Sequence, residues 1–417
     1  MGVWDRIKGA LGGSETTSPE AAFREEVKRV AEGLPFVKEV VPDESDVWAL
    51  AVTTTRDTKH TLFLGNLYAE TREVEDREGR IEFFLRTLET RPEVEGWEEA
   101  RSMLVPVIRA VTFASGIPGA HPPVARAFAP MLQEAVVLDL ADSMAYVTED
   151  RLEEWGVGPD DAFRAAREHL GSCVSDDDVE VYDGDGAGRI YYVARDDSYQ
   201  VSRLALPGWL ASFRGTVSGN PIAILPERSQ LFVAGDADPE TVLRLSEMAQ
   251  REFESATRSI SPAVYGVDGN GKVVPYVPPE GSPATESVLL GHMILNVAEY
   301  QTQKSVLEAA FEEDGTDIFV ATFSAMQGKN GGPPFSYATW TEGVDTLLPV
   351  TDLVVFVWGD VGGEGETFHA AVSWADVQKI AGSLLGEETY VPTRYRTLGW
   401  PDAEMLARLR EHEAELG

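Results

Sequence analysis

Apolar positions along the chain recur with two periods, one helical and one alternating, and the switches between them predict the elements. Residues 3–11 place Val3, Trp4, Ile7 and Leu11 on one helical face, with Asp5, Arg6 and Lys8 elsewhere, and Gly12-Gly13 ends the pattern. After the linker SETTS, Ser18-Pro19-Glu20 opens a second helix: a capping hydroxyl, proline in the first turn, then an acid. Strands are expected over 37–41, 47–54 and 61–64, the second alternating Val47, Ala49 and Ala51 with polar or smaller neighbours. Helices at 81–89 and 98–103 follow, then a strand over 105–113 and a Pro/Gly-rich loop at 116–123.

Downstream the same order returns. Strands at 135–140 and 145–148 precede a helix at 159–169; strands at 179–182 and 189–194 flank a tight 183–188 turn. A helix at 206–213, a hairpin at 221–233 and a helix at 239–255 complete that stretch. Residues 277–285 (VPPEGSPAT) hold three prolines and no periodicity, which marks a linker. Beyond it the pattern reads helix (286–311), strand (317–325), a Gly/Pro loop (328–334), strands at 335–340, 353–358 and 367–373, and a helix at 374–385. The expected class is α+β, with repeated modules of antiparallel sheet and helices packed on one face. The expected divisions are a helix and linker at 1–17, α+β modules at 18–115 and 116–277, and a C-terminal α+β module at 286–417.

Charge narrows the partners. Seventy acids against 35 bases give a net charge of −35; residues 283–417 carry 21 acids and 7 bases, so both parts are acidic. Such an even spread suits a solvated, self-repelling surface and counts against nucleic acid, whose affinity comes from clustered lysine and arginine. The single cysteine, Cys173, makes no internal disulfide, and its acidic neighbours Asp176, Asp177 and Asp178 oppose a reactive thiolate. No run is long and apolar enough to span a bilayer, and MGVWDRIKGALGG lacks the pattern of a secretory signal, so the expectation is cytoplasmic.

Five segments carry a family likeness: PVIRAVTF (106–113), AVVLDL (135–140), IYYVARDDSYQVSRLA (190–205), GNPIAILPERSQLFV (219–233) and PAVYGVDGNGKVVPY (262–276). Together they resemble the bacterial domain of unknown function 1444, the YtpQ-like family, over about residues 20–277. That family shares a VIRS/T-x-x-F segment, a D-L-rich strand and a D-G-Y-x-x-S-R stretch; Ser198 stands here where glycine is usual. No reaction is assigned to the family, so the resemblance implies no particular chemistry.

Motifs that would specify chemistry fail on spacing. Asp183-Gly184-Asp185-Gly186 and Asp268-Gly269-Asn270-Gly271 begin like calcium loops, but their twelfth positions are Ala194 and Pro279, so hairpin turns are expected. The glycine-rich stretches 184–188, 328–332 and 359–365 lack the strand and helix context of dinucleotide or phosphate loops; of the loops, 328–334 is the foremost candidate to touch a partner. The six histidines show no metal-binding spacing, and no GxSxG is present. No metal or cofactor is therefore expected. The polar patch Asp196, Asp197 and Arg203, with His121, supplies the candidate catalytic residues, while Arg203 read structurally is one half of an ion pair. Arg109, mid-strand, either faces solvent or pairs inside. Aromatics of the last part, among them Trp340, Phe356, Trp358 and Trp400, either fill cores or line a groove.

The leading expectation is a cytoplasmic, non-enzymatic protein that binds or scaffolds another protein. The alternatives are an enzyme with a site of dispersed carboxylates and histidines, and a peripheral membrane protein held by Val3, Trp4, Ile7 and Leu11.

Overall fold

The computed structural model describes residues 19–42, 47–72, 74–88, 94, 96–115, 122–140, 143–183, 188–195, 198–328, 332–359 and 366–414. The expected helix at 3–11 lies outside them. The chain forms two compact units: residues 1–93 with 140–143, and residues 94–139 with 144–417.

In the first unit, helix α1 (Pro19–Glu32) turns Phe23, Val27, Val30 and Ala31 inward, the i, i+4, i+7, i+8 stripe of an amphipathic helix. It shares a core with Leu50, Val52 and Leu62 of the antiparallel sheet β1 (Val37–Pro42), β2 (Ala49–Thr54) and β3 (Lys59–Phe63). Helix α2 (Gly65–Thr71) follows, and Asp76 caps α3 (Arg77–Arg86) by accepting the Gly79 N–H at 3.0 Å.

The second unit opens with α4 (Trp97–Ala100), then β4 (Leu104–Ala110), β5 (Ala125–Ala129), β6 (Leu132–Leu140) and β7 (Ser143–Tyr146), which make one sheet with β6 inside it. Helices α5 (Glu149–Trp155) and α6 (Pro159–Cys173) follow. Six of the seven β4 residues are buried, because both faces are covered: Val105 and Val107 pack with Leu170 of α6, Ile108 with a larger core. That core belongs to an antiparallel sheet of β8 (Val179–Asp183), β9 (Arg189–Val193), β10 (Pro221–Glu227), β11 (Phe232–Gly235), β12 (Ser259–Val267) and β13 (Val273–Pro275). Its order is β13-β12-β10-β11-β9-β8. Helix α7 (Pro239–Ser255), capped by Asp238, covers the opposite face through Val242 and Leu245, as its Asp-Pro-Glu start and apolar spacing predict.

The expected helix at 206–213 is absent. Two short 3₁₀ turns, Val201–Ala205 and Leu210–Phe213, stand there instead. Pro207 keeps Leu206 extended (ψ 127°), and Gly208 at φ +76° reverses the chain, so no helical register survives between them.

Helix α8 (Thr285–Asp314) begins inside the expected linker and runs 30 residues, about 45 Å at 1.5 Å per residue. It lies on β12 and α7 and also contacts β14 and β15, one strand from each of two four-stranded sheets. One combines β14 (Phe319–Val320), β17 (Thr346–Pro349), β20 (Leu385–Glu387) and β21 (Arg394–Thr397). The other combines β15 (Ser324–Met326), β16 (Phe335–Thr341), β18 (Leu353–Gly359) and β19 (Thr367–Ser373), with helices α9 (Trp374–Ala381) and α10 (Ala403–Glu411) completing the chain. The single strand expected over 317–325 is thus split between two sheets. Pairing is antiparallel except for β14 with β17 and β16 with β18. Trp340 and Phe356 are buried, meet edge-on with Trp400 and fill the core, whereas Trp358 stacks on the exposed Phe368.

Candidate functional site

Beside the larger core, the second unit holds a cavity of about 280 Å³ between the edge strand β5, helix α6, the segment from Leu204 to Leu210, and the β12–β13 turn. Glu134 of β6 sits at its base. A carboxylate in a strand otherwise reading Leu-Gln-Glu-Ala-Val-Val must find cations when the strand is buried, and this one does. Arg126 Nε donates to one of its oxygens at 2.9 Å; Arg167 of α6 grips both, at 2.8 and 2.6 Å. The Glu134 side chain is 1% exposed, while the two arginines keep 34% and 30% exposure. Arg126 also lies 3.9 Å over the Phe163 ring, which fixes its plane.

Opposite stands the β12–β13 turn. Asp268 Oδ1 accepts the N–H groups of Asn270 and Lys272, and Gly271 takes φ +80°, so this is the hairpin turn that the Asp-Gly-Asn-Gly sequence predicts. A Cβ on Gly271 would stand 3.6 Å from that of Ala211, which shows how closely the turn lies on the 3₁₀ segment. This packing brings Lys272, exposed and without an ion pair among the described residues, to the cavity rim. Phe128 and Trp209 supply aromatic wall.

His121, Asp196 and Asp197 fall outside the described residues, as do loop positions 329–331. Arg203 is fully buried: Nη2 donates to Asp178 at 3.0 Å and Nη1 to the Tyr199 carbonyl at 3.0 Å. Burial works against the Asp178 carboxylate, but the Ser175 N–H and Arg203 outweigh it and hold its pKa below the usual aspartate value. Arg203 does not line the cavity, although its neighbours Leu204 and Ala205 do. Arg109 pairs inside, giving Nε to the Tyr146 hydroxyl and Nη1 to its neighbour's carbonyl. Cys173, at the end of α6, is exposed.

A second polar cluster joins α8 to the body of the unit. Glu299 accepts both the N–H and the hydroxyl of Thr112, at 2.9 and 2.8 Å. Burial pushes its carboxyl above the usual glutamate value, and the Thr112 bonds offset that only in part. A raised acid pKa makes the folded state hold its proton more tightly than the unfolded chain. Its stabilising contribution is complete below the unfolded value of about 4.3 and is lost as pH climbs through the folded one. Urea unfolding of wild type and Glu299→Gln at several pH values from 4.5 to 7.5 tests this: the variant is expected to gain on wild type as pH rises. A constant difference would show that Glu299 keeps an ordinary titration.

Among the described residues, no three His, Cys, Asp or Glu side chains converge on a metal position, and no helix is long and apolar enough to cross a membrane. No family model, curated protein or solved structure matches the chain.

Proposed function

We propose that this chain is a non-enzymatic cytoplasmic protein that binds another protein and takes an anionic group of that partner into the Glu134 cavity. The observation that carries the reading is the unequal use of the two arginines. Arg126 commits only Nε to Glu134 and Arg167 commits Nε and one terminal nitrogen, so three terminal nitrogens have no acceptor among the described residues. Guanidinium groups stay protonated at any physiological pH, and three N–H donors occupy the Glu134 oxygens. Such groups hold charge in place; they are poorly suited to moving a proton. The cavity inverts the field of a chain whose net charge is −35, so an anion repelled elsewhere finds its attraction there. At roughly 30 Å³ per water, its volume has room for fewer than about ten waters, which suits one side chain or chain end better than a cofactor.

Lys272→Glu tests the reading without touching the Glu134 pairs. Partners captured from native cytoplasm by the wild-type chain are expected to fall at least tenfold in yield with the variant, its unfolding midpoint unchanged. A stoichiometric partner retained equally by both would overturn the proposal.

A further inference from the structure

Resting on that reading, we infer that the anionic group is a phosphomonoester in its dianionic form. The first argument is charge. Arg126, Arg167 and Lys272 face one carboxylate, Glu134, which leaves the cavity a net charge of +2. A monocarboxylate balances half of that; a phosphomonoester, close to −2 above its second pKa near 6, balances it fully. Asp268, next in the hairpin, is turned to the N–H groups of its own turn, with one oxygen accepting both Asn270 and Lys272.

The second argument is the donor count. Three unused guanidinium nitrogens and one ammonium would have to crowd every lone pair of a carboxylate's two oxygens at once. They suit the three terminal oxygens of a phosphoryl group, which planar guanidinium groups engage through paired N–H bonds. Glu134 contributes by orienting the donors: it ties down the inner edge of both arginines, so their free nitrogens are presented with little rotamer entropy left to lose. The third argument is the wall. Phe128 and Trp209 offer apolar surface to the carbon body that carries the phosphate.

Phenyl phosphate and phenyl sulfate are closely similar in shape but differ by one charge at pH 8, and calorimetric titration of the full chain with both tests the inference. Phenyl phosphate is expected to bind at least tenfold tighter at pH 8. The gap should close at pH 5, where the phosphate ester is a monoanion; no histidine lines the cavity to titrate in that range. Lys272→Glu should lose most of the affinity for both. Equal binding at pH 8 overturns the dianion and leaves an anion-binding cavity standing; no binding of either probe overturns both. A capped Gly-phosphoserine-Gly peptide set against glycerol 3-phosphate then separates the sources. Tighter peptide binding supports a phosphorylated partner side chain. Tighter glycerol 3-phosphate binding keeps the dianion but replaces the protein partner with a small metabolite.

Discussion

Arg394→Met should destabilise the second unit by about 3–5 kcal/mol, the cost of taking a shared donor from four neutral acceptors in the interior. Arg394 is 0% exposed and lies where α8 meets the sheet of β14, β17 and β21. Its Nε donates to Gln303 at 2.6 Å, Nη1 to the carbonyls of Ala321 and Leu347 at 2.8 and 3.0 Å, and Nη2 to the Tyr300 carbonyl at 3.3 Å. Methionine fills much of the same volume with no donor, so four acceptors lose this donor together, although the Leu347 carbonyl keeps the Ala321 N–H at 3.0 Å. Tyr300, whose ring lies under the guanidinium and stacks on Phe323, loses its cation as well. Arg394→Lys should fall between, since an ammonium on that stem cannot reach four acceptors held in a planar fork.

The penalty should be flat with pH. Burial lowers the Arg394 pKa to about 10, so the unfolded chain holds the proton more tightly. The guanidinium charge is then shed only as pH rises above that value, and stability from this group varies only there. Urea unfolding at pH 6 and pH 9 should return the same loss. A loss under about 1 kcal/mol would mean that water replaces the guanidinium without strain.

Much of the element order was legible in the sequence because its signals are local. Asp238-Pro239-Glu240 and the apolar spacing behind it predict α7 to the residue, and the α+β class follows from alternating periods. What escaped is what long-range packing decides. The buried stripe of α8 contains Gly291, Glu299, Gln303 and Tyr300, so its polar members hide which face turns inward. Strands β17 and β21 are four residues each; the second, Arg-Tyr-Arg-Thr, reads as a polar loop because nothing nearby shows that Arg394 enters a core.

The cavity escaped for the same reason. Arg126, Glu134, Arg167 and Lys272 come from four elements with no motif spacing, and only the fold joins them. The one local signal was Glu134 itself, a carboxylate at a buried position of β6, unlike the exposed Asp139 of the same strand, and such a carboxylate demands cations from elsewhere. The sequence expectation rested instead on the Asp196–Arg203 patch, where exposed and buried charges look alike in one dimension. Arg203 belongs to the buried kind.

Gly291→Ala should destabilise the protein by about 2–3 kcal/mol although alanine is the better helix former by about 1 kcal/mol. A Cβ at position 291 would stand 2.6 Å from the Pro262 carbonyl oxygen, 3.3 Å from its carbon and 3.4 Å from the Ala263 Cα. These are buried backbone atoms of β12, in the bulge between its Val264 and Ser261 pairings with β10, so relief comes chiefly from moving α8 outward. The same helix carries His292 against Tyr265 one residue on and Glu299 to Thr112 two turns on. Moving it at Gly291 therefore lengthens contacts well beyond the clash. Gly171→Ala in α6 is the matched control. Its nearest neighbour is the Leu206 Cδ2 at 3.8 Å, an ordinary contact, so that substitution should gain about 0.5–1 kcal/mol by restricting the unfolded chain. Thermal or urea unfolding of the two variants side by side should give opposite signs. If Gly291→Ala stabilises as Gly171→Ala does, α8 does not lie on the β12 backbone, and the glycine serves no close approach.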